Sequence, residues 1–118
     1  MSETNRFDLK ERTYQFAKGV ALFCKDLPRT LSNREYITQA IRASGSIGAN
    51  YIEANEALSK RDFILRIKIS RKEAKEAVYW LQLIIETNPE NFNSRGVSLR
   101  EEAVELKKIF SAIVEKSQ

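Results

Sequence analysis

Histidine is absent from this chain of 118 residues, and cysteine occurs once, at Cys24. Without histidine a protein lacks the usual acid–base group of neutral pH and the commonest metal ligand. With a single cysteine as well, zinc-finger sites are excluded, and so are the Glu-x-x-His sites of di-iron bundles. One cysteine cannot form an internal disulfide, so we expect a reducing, cytoplasmic environment.

Other patterns of catalytic chemistry are also missing. The sequence contains no glycine-rich phosphate loop and no dinucleotide-binding fingerprint. Two carboxylate pairs have i, i+3 spacing, Glu53 with Glu56 and Glu73 with Glu76, which is more typical of a solvated or salt-bridged surface than of a catalytic pair. Cys24 lies on an apolar stripe, as a buried and inert thiol would. We therefore predict no catalytic residue, no metal ligand and no cofactor, and a protein that is not an enzyme.

Glycine and proline are scarce, with four and two residues, which favours long helices over the many turns of an all-β domain. No apolar run approaches the ~18–20 residues of a membrane span. Residues 1–6 lack the apolar core of a secretory signal. We expect neither a membrane partner nor secretion.

Apolar residues recur at helical spacing along almost the whole chain. This periodicity predicts an all-α fold, an antiparallel up-down four-helix bundle, in a single domain of residues 1–118. The helices are expected at about residues 7–27, 33–57, 60–87 and 99–116. Pro28 ends the first helix, and the predicted N-caps of the other three are Ser32, Ser59 and Ser98.

Small and polar residues cluster in the middle of the second helix. Gly45 and Gly48 cost about 1 kcal/mol each relative to alanine, so close helix packing should offset them. The amide of Asn50 is expected to be partly buried and to form a polar clasp between helices or subunits. A ligand-binding notch or a substrate contact is the alternative. The predicted cluster for packing and polar contacts comprises Ser44, Gly45, Gly48, Asn50 and Glu53.

The third helix carries a strong charge asymmetry. Residues 60–75 have seven basic and two acidic side chains, a net charge of +5, although the whole chain has only +4. Such a row of cations can follow a phosphate backbone. It is equally consistent with a solvated face, or with pairing to acidic residues of a neighbouring subunit. The candidate nucleic-acid-binding residues are Arg42, Arg61, Arg66, Lys68, Arg71, Lys72 and Lys75.

The third helix also has more apolar positions than one bundle core requires. Five of them lie outside its inner row: Leu65, Ile69, Tyr79, Leu83 and Ile85. A helix that faces a single core needs only one apolar stripe. The surplus indicates a second buried face and therefore self-association.

Three stretches resemble the bacterial four-helix-bundle proteins, also called the 23S rRNA intervening-sequence proteins. They are residues 44–54 (SGSIGANYIEA), 59–63 (SKRDF) and 72–81 (KEAKEAVYWL). The family pattern is a Ser-Ile-x-x-Asn-Ile-x-Glu core followed by a Ser-Lys-x-Asp/Glu-Phe helix start. Here Tyr51 follows Asn50 in place of the usual isoleucine, and Ala54 stands where many members have glycine. The resemblance covers about residues 8–114.

The resemblance implies a homo-oligomer, with a pentameric ring as the precedent, and a link to RNA. Some members are encoded within insertions in 23S rRNA genes, and related bundles assist reverse transcriptases. It implies no catalytic activity. Our leading hypothesis is a non-enzymatic oligomer that binds RNA or DNA through the basic face of the third helix. The alternative is a purely structural or protein-interaction module, for example accessory to a polymerase or ribonucleoprotein, that does not bind nucleic acid.

Overall fold

The computed structural model describes the backbone of residues 2–118 and the side chains of residues 9–118. This part of the chain forms four α-helices: α1 (Ser2–Lys25), α2 (Leu31–Asn55), α3 (Lys60–Glu86) and α4 (Asn93–Ser117). A short 3-10 helix, Glu90–Phe92, precedes α4. The predicted all-α fold is confirmed. The expectation about a secretory signal, which concerns residues 1–6, falls outside the described side chains.

The four helices lie at the corners of a square, and adjacent helices run antiparallel. α1 contacts α2 and α4, and α3 contacts the same two helices, so α1 and α3 lie on a diagonal. The antiparallel direction is visible where α1 meets α4, because Arg12 pairs with Glu102 while Asp26, directly after the end of α1, pairs with Arg95. The bundle measures 45 × 29 × 19 Å along its principal axes.

Every helix contributes to one continuous core. The apolar spacing that predicts the helices also places these side chains inside, since residues three and four apart share a helix face. The largest fully buried apolar side chains are Phe23, Phe110, Ile47, Ile67, Leu81, Ile84, Leu106 and Val20.

The structure corrects the predicted start of α2. Thr30, not Ser32, is the N-cap, and its hydroxyl accepts a hydrogen bond from the backbone amide of Asn33 at 3.1 Å. Asn33 is buried, and it exchanges side-chain hydrogen bonds of 2.8 and 2.9 Å with Asn88 beyond α3. This pair of amides joins the α1–α2 and α3–α4 connections. The cap at Thr30 is a local contact, and the bond to Asn88, 55 residues away in sequence, holds the beginning of α2 against the α3–α4 connection.

The start of α4 is also earlier than predicted. The helix begins at Asn93, so the expected loop through Gly96 is largely helical and Ser98 lies within the helix rather than capping it. Gly96 is buried, and a Cβ there would lie 2.7 Å from Ile85 and 3.3 Å from Phe23. Glycine is needed here for close approach of two helices rather than for a turn. At α1 the end comes at Lys25, two residues before the expected one, while Ser59 caps α3 as predicted.

Within the described residues, no helix is both long enough and apolar enough to cross a membrane.

Candidate nucleic-acid interface

A cationic groove of about 400 Å³ runs between α3 and α4. Four of its basic side chains come from α3, where positions three and four apart share a face. The fifth, Lys107, comes from the facing side of α4. The residues that line this cationic groove are Lys68, Arg71, Lys72, Lys75, Lys107 and Ser111.

The five cations of this groove have no acidic partners in the described part of the chain. The ion pairs formed by residues 9–118 are Arg12–Glu102, Arg95–Asp26, Arg100–Glu101 and Lys108–Glu105. No acidic side chain lines the groove itself. A concave surface lined by charges of one sign concentrates the positive potential. The charge of the groove is therefore complementary to that of an anionic ligand.

A second groove, of about 650 Å³, extends the positive surface towards the start of α3. It is lined by Lys60, Arg61, Asp62, Ile64, Leu65 and Lys68. Lys68 borders both grooves, so the two form one path along the helix. From Arg61 to Lys75 this path covers fourteen residues, roughly 21 Å at the rise of an α-helix.

The structure divides the residues predicted from sequence into two groups. Arg61, Lys68, Arg71, Lys72 and Lys75 lie along the path. The other two do not line either groove: Arg66 is half-buried at the α2–α3 boundary, and Arg42 is exposed on α2. Arg66 donates a hydrogen bond of 3.0 Å to Asn50, and Arg42 donates one of 2.7 Å to Gln39. Both arginines are thus occupied by contacts within the bundle.

Lys107 is the groove residue that the sequence reasoning missed. It belongs to a helix whose charges are mixed, so no local excess of basic residues marks it. Its position in the helix is the only indication that the sequence gives. Lys107 directly follows the core residue Leu106, and successive residues of an α-helix are about 100° apart, so Lys107 lies to one side of the core-facing stripe. That rotation directs it towards either α1 or α3, and the packing decides which.

The predicted cluster of small and polar residues has two different environments. At Gly48, a Cβ would lie 2.9 Å from the Thr13 hydroxyl oxygen, so this glycine permits close contact between α1 and α2. At Gly45 no described atom outside its own stretch of helix lies within 4 Å of that position, which corrects the expectation of close packing there. Ser44 is buried, and its hydroxyl donates to the backbone carbonyl of Ile41.

Asn50 forms the polar contact between α2 and α3. Its Oδ1 accepts from Arg66, and its Nδ2 donates to the backbone carbonyl of Ser46 at 2.9 Å. One turn away, the buried Ser70 hydroxyl donates to the carbonyl of Ile47 at 2.9 Å. These bonds connect the two helices across their boundary. Glu53 is exposed and forms no ion pair among the described residues.

Comparison with known proteins identifies the family. Residues 5–112 match the sequence family described as 23S rRNA-intervening sequence protein. This chain belongs to that family. A crystal structure of a protein with unknown function from the S23 ribosomal protein family of Bacteroides thetaiotaomicron is similar, with a TM-score of 0.78 and 30% identity. The match covers 89% of this chain and 96% of that one. No curated protein matches the sequence.

On the other side of α4, this member of the 23S rRNA-intervening sequence protein family has an acidic groove of about 730 Å³. It lies between α1 and α4 and contains Glu11, Glu101, Glu102 and Glu105. Arg12 crosses it and donates two hydrogen bonds to Glu102, of 2.6 and 2.9 Å. The bonds to this carboxylate raise the pKa of the Arg12 guanidinium. Arg12 is therefore paired within the bundle, unlike the five cations of the cationic groove.

Two further features of this family member bear on chemistry. Cys24 is buried, and burial raises the pKa of its thiol to about 11. The thiol is therefore protonated at neutral pH and a poor nucleophile. Among residues 9–118, no group of three or more His, Cys, Asp or Glu side chains is placed to hold a metal ion.

An apolar groove of about 750 Å³ separates α1 from α2. Gly45 and Gly48 line it on α2, together with Ile52, and Tyr14 lines it on α1. On α3, the expected second apolar face is smaller than predicted, because Ile85 is 9% exposed and Ile69 and Leu83 are half-buried. Leu65 and Tyr79 do remain exposed.

Proposed function

We propose that this member of the 23S rRNA-intervening sequence protein family is a non-enzymatic, homo-oligomeric helical bundle that binds RNA or DNA through its cationic groove. The observation that carries the proposal is the set of five basic side chains in that groove, none of which has an acidic partner among the described residues. Among the described residues, these charges therefore do not stabilise the bundle through ion pairs. The family description, which refers to 23S rRNA, is consistent with an RNA ligand.

In this proposal the phosphate backbone supplies the affinity. Each lysine contacts a phosphate as a point charge, while the planar guanidinium of Arg71 can donate two parallel hydrogen bonds to one phosphate. Binding releases the cations condensed on the nucleic acid, so affinity falls as salt rises. The described groove offers no arrangement of side chains dedicated to base edges, and we therefore expect little sequence specificity.

The first test is an anisotropy titration of labelled RNA and DNA with the purified protein. Five phosphate contacts predict that the logarithm of the association constant falls with the logarithm of salt concentration with a slope of roughly −4. Absence of binding to every nucleic acid at low salt would contradict the proposal.

Charge-matched variants locate the site. Lys72→Glu with Lys107→Glu reverses two groove cations, and Lys18→Glu with Lys25→Glu reverses two exposed lysines on α1. Each double variant lowers the formal net charge from +4 to 0. We expect the groove variant to lose roughly 100-fold in affinity at low salt and the α1 variant to lose much less. Equal losses would mean that overall charge, not the groove, governs binding.

The second candidate function is a structural or protein-interaction module, accessory to a polymerase or ribonucleoprotein. The acidic groove between α1 and α4 favours it, because its four glutamates could pair with the cationic groove of another copy. Light scattering tests self-association directly, since a pentamer contains five copies of the 13.6 kDa chain. If Glu101→Lys with Glu105→Lys dissociates the oligomer and Lys72→Glu with Lys107→Glu does the same, the cations serve assembly instead of nucleic-acid binding.

A further inference from the structure

An exposed tyrosine lies on the same face of α3 as the cations. Tyr79 follows Lys72 by seven residues and Lys75 by four, so it continues their row by one helical turn. The four residues from Lys75 to Tyr79 rise about 6 Å along the helix axis. The Tyr79 side chain is 60% exposed. The bundle core does not cover this ring, so the self-association expected from the apolar surplus of α3 and the contact with a ligand proposed below are competing roles for it.

The surroundings of Tyr79 hold its ring in place without covering it. The ring meets that of Trp80 edge-on, with centroids 5.0 Å apart and an interplanar angle of 81°. Trp80 is half-buried and packs in turn against Tyr36 of α2, at 6.2 Å between centroids. A ring supported on one side and exposed to solvent has lost part of its freedom before it meets a ligand, which lowers the entropic cost of binding.

We propose that the cationic groove prefers single-stranded to double-stranded nucleic acid, with the backbone along the α3 cations and an unpaired base stacked on Tyr79. This inference rests on the proposed function. Aromatic side chains at the end of a positive groove are the means by which proteins bind single strands without sequence preference, because every base has a π-face. In a duplex the bases are already stacked on one another, and Tyr79 has no base face to contact.

Charge alone would give the opposite preference. A duplex carries one negative charge per about 1.7 Å of axis, a higher density than that of a single strand, and a purely cationic surface therefore binds a duplex more tightly. A measured preference for the single strand would therefore report the contribution of the base on Tyr79.

The test compares a single-stranded RNA with a blunt duplex of equal length, by anisotropy at low salt. Tyr79→Ala should weaken single-strand binding by about 5- to 100-fold and leave duplex binding unchanged. Its salt dependence should equal that of the wild type, because no phosphate contact is lost. Tyr79→Phe, which keeps the ring, should bind like the wild type. The matched control is Tyr14→Ala, which removes another tyrosine that is 60% exposed, on α1.

A strand of abasic nucleotides provides a test on the wild-type protein alone. It keeps the phosphates and removes the bases, so it should bind as weakly as the ordinary strand binds to Tyr79→Ala. The inference is wrong if the wild type binds the duplex more tightly than the single strand, if the abasic strand binds equally well, or if a folded Tyr79→Ala binds normally. Those outcomes leave the proposed function intact, whereas failure of the wild type to bind either RNA overturns the proposed function itself.

Discussion

The α1–α4 and α3–α4 boundaries use their charged residues in different ways. Where α1 meets α4, Arg12 is paired with Glu102 and Asp26 with Arg95. Where α3 meets α4, five cations line a groove without an acidic partner among residues 9–118. Paired charges help to position a helix, whereas unpaired charges of one sign are available to an external ligand. The comparison therefore separates charge that serves the fold from charge that can serve binding.

Helices α1 and α3 also differ in how closely they pack. α3 is bonded to α2 through Arg66–Asn50 and through the buried Ser70 hydroxyl. α1 touches α2 closely at Gly48, but one turn away at Gly45 the boundary opens into the apolar groove. The side of the bundle that carries the proposed nucleic-acid site is thus the more firmly connected one, and rigid placement of charges favours binding.

The strongest test of the comparison exchanges two charges on α4. Glu105 lines the acidic groove and Lys107 the cationic one. The double variant Glu105→Lys, Lys107→Glu keeps the composition and the net charge of +4. We expect nucleic-acid affinity to fall roughly tenfold or more at low salt, because a carboxylate replaces an ammonium among the groove cations.

The exchange should leave the fold intact. Among the described residues, Glu105 pairs only with Lys108, at 3.5 Å and with both side chains more than half exposed, and such pairs contribute little to stability. Circular dichroism provides the control. Unchanged affinity in a folded variant would contradict the distinction between the two grooves.

The next test concerns the two glycines at the α1–α2 boundary. Gly45→Ala should raise the free energy of unfolding by about 0.5–1 kcal/mol, because alanine favours the helix and nothing lies within 4 Å of its Cβ. Gly48→Ala gains the same propensity but forces its Cβ against the buried Thr13, and overpacking costs about 1–3 kcal/mol. In urea denaturation, the free energy of unfolding should therefore be higher for Gly45→Ala than for the wild type. For Gly48→Ala it should be clearly lower than for Gly45→Ala. A reversed order would mean that the boundary is open at Gly48 instead.

The smallest expected effect compares a paired cation with an unpaired one. Arg12→Ala removes two charge-assisted hydrogen bonds to Glu102 and should lower the free energy of unfolding by about 1 kcal/mol. Lys72→Ala removes an exposed cation that has no acidic partner among the described residues, and it should change stability by less than about 0.5 kcal/mol. Thermal or urea unfolding of both variants measures the difference. Equal destabilisation would indicate that Lys72 also contributes to the fold.

Much of the fold is predictable from local pattern, because apolar periodicity and the scarcity of glycine and proline already require four long helices. The errors lie at the starts of α2 and α4. At α2 the prediction placed the cap at Ser32, whereas Thr30 caps the helix and Asn33 also pairs with the distant Asn88. At α4 the prediction placed Gly96 before the helix, whereas Gly96 is helical and packs closely against Ile85.

The candidate site was predictable in part for the same reason. Arg61, Lys68, Lys72 and Lys75 share one helix face, so their spacing alone places them together. The spacing could not reveal that Arg66 is occupied by Asn50, because that requires the position of α2 relative to α3. Nor could it reveal Lys107, which joins the groove only when α4 packs beside α3.

By itself, the sequence determined the helical class, the absence of histidine chemistry and the row of cations on one helix, since each depends on residue identity or on the period of a single helix. Tertiary structure alone decided which cations are paired, which glycine is covered and which helix completes the cationic groove. Those properties depend on the rotation and neighbours of each helix. A helix carries the same pattern of charges whichever neighbour it has, and only packing brings a particular partner within reach of a given side chain.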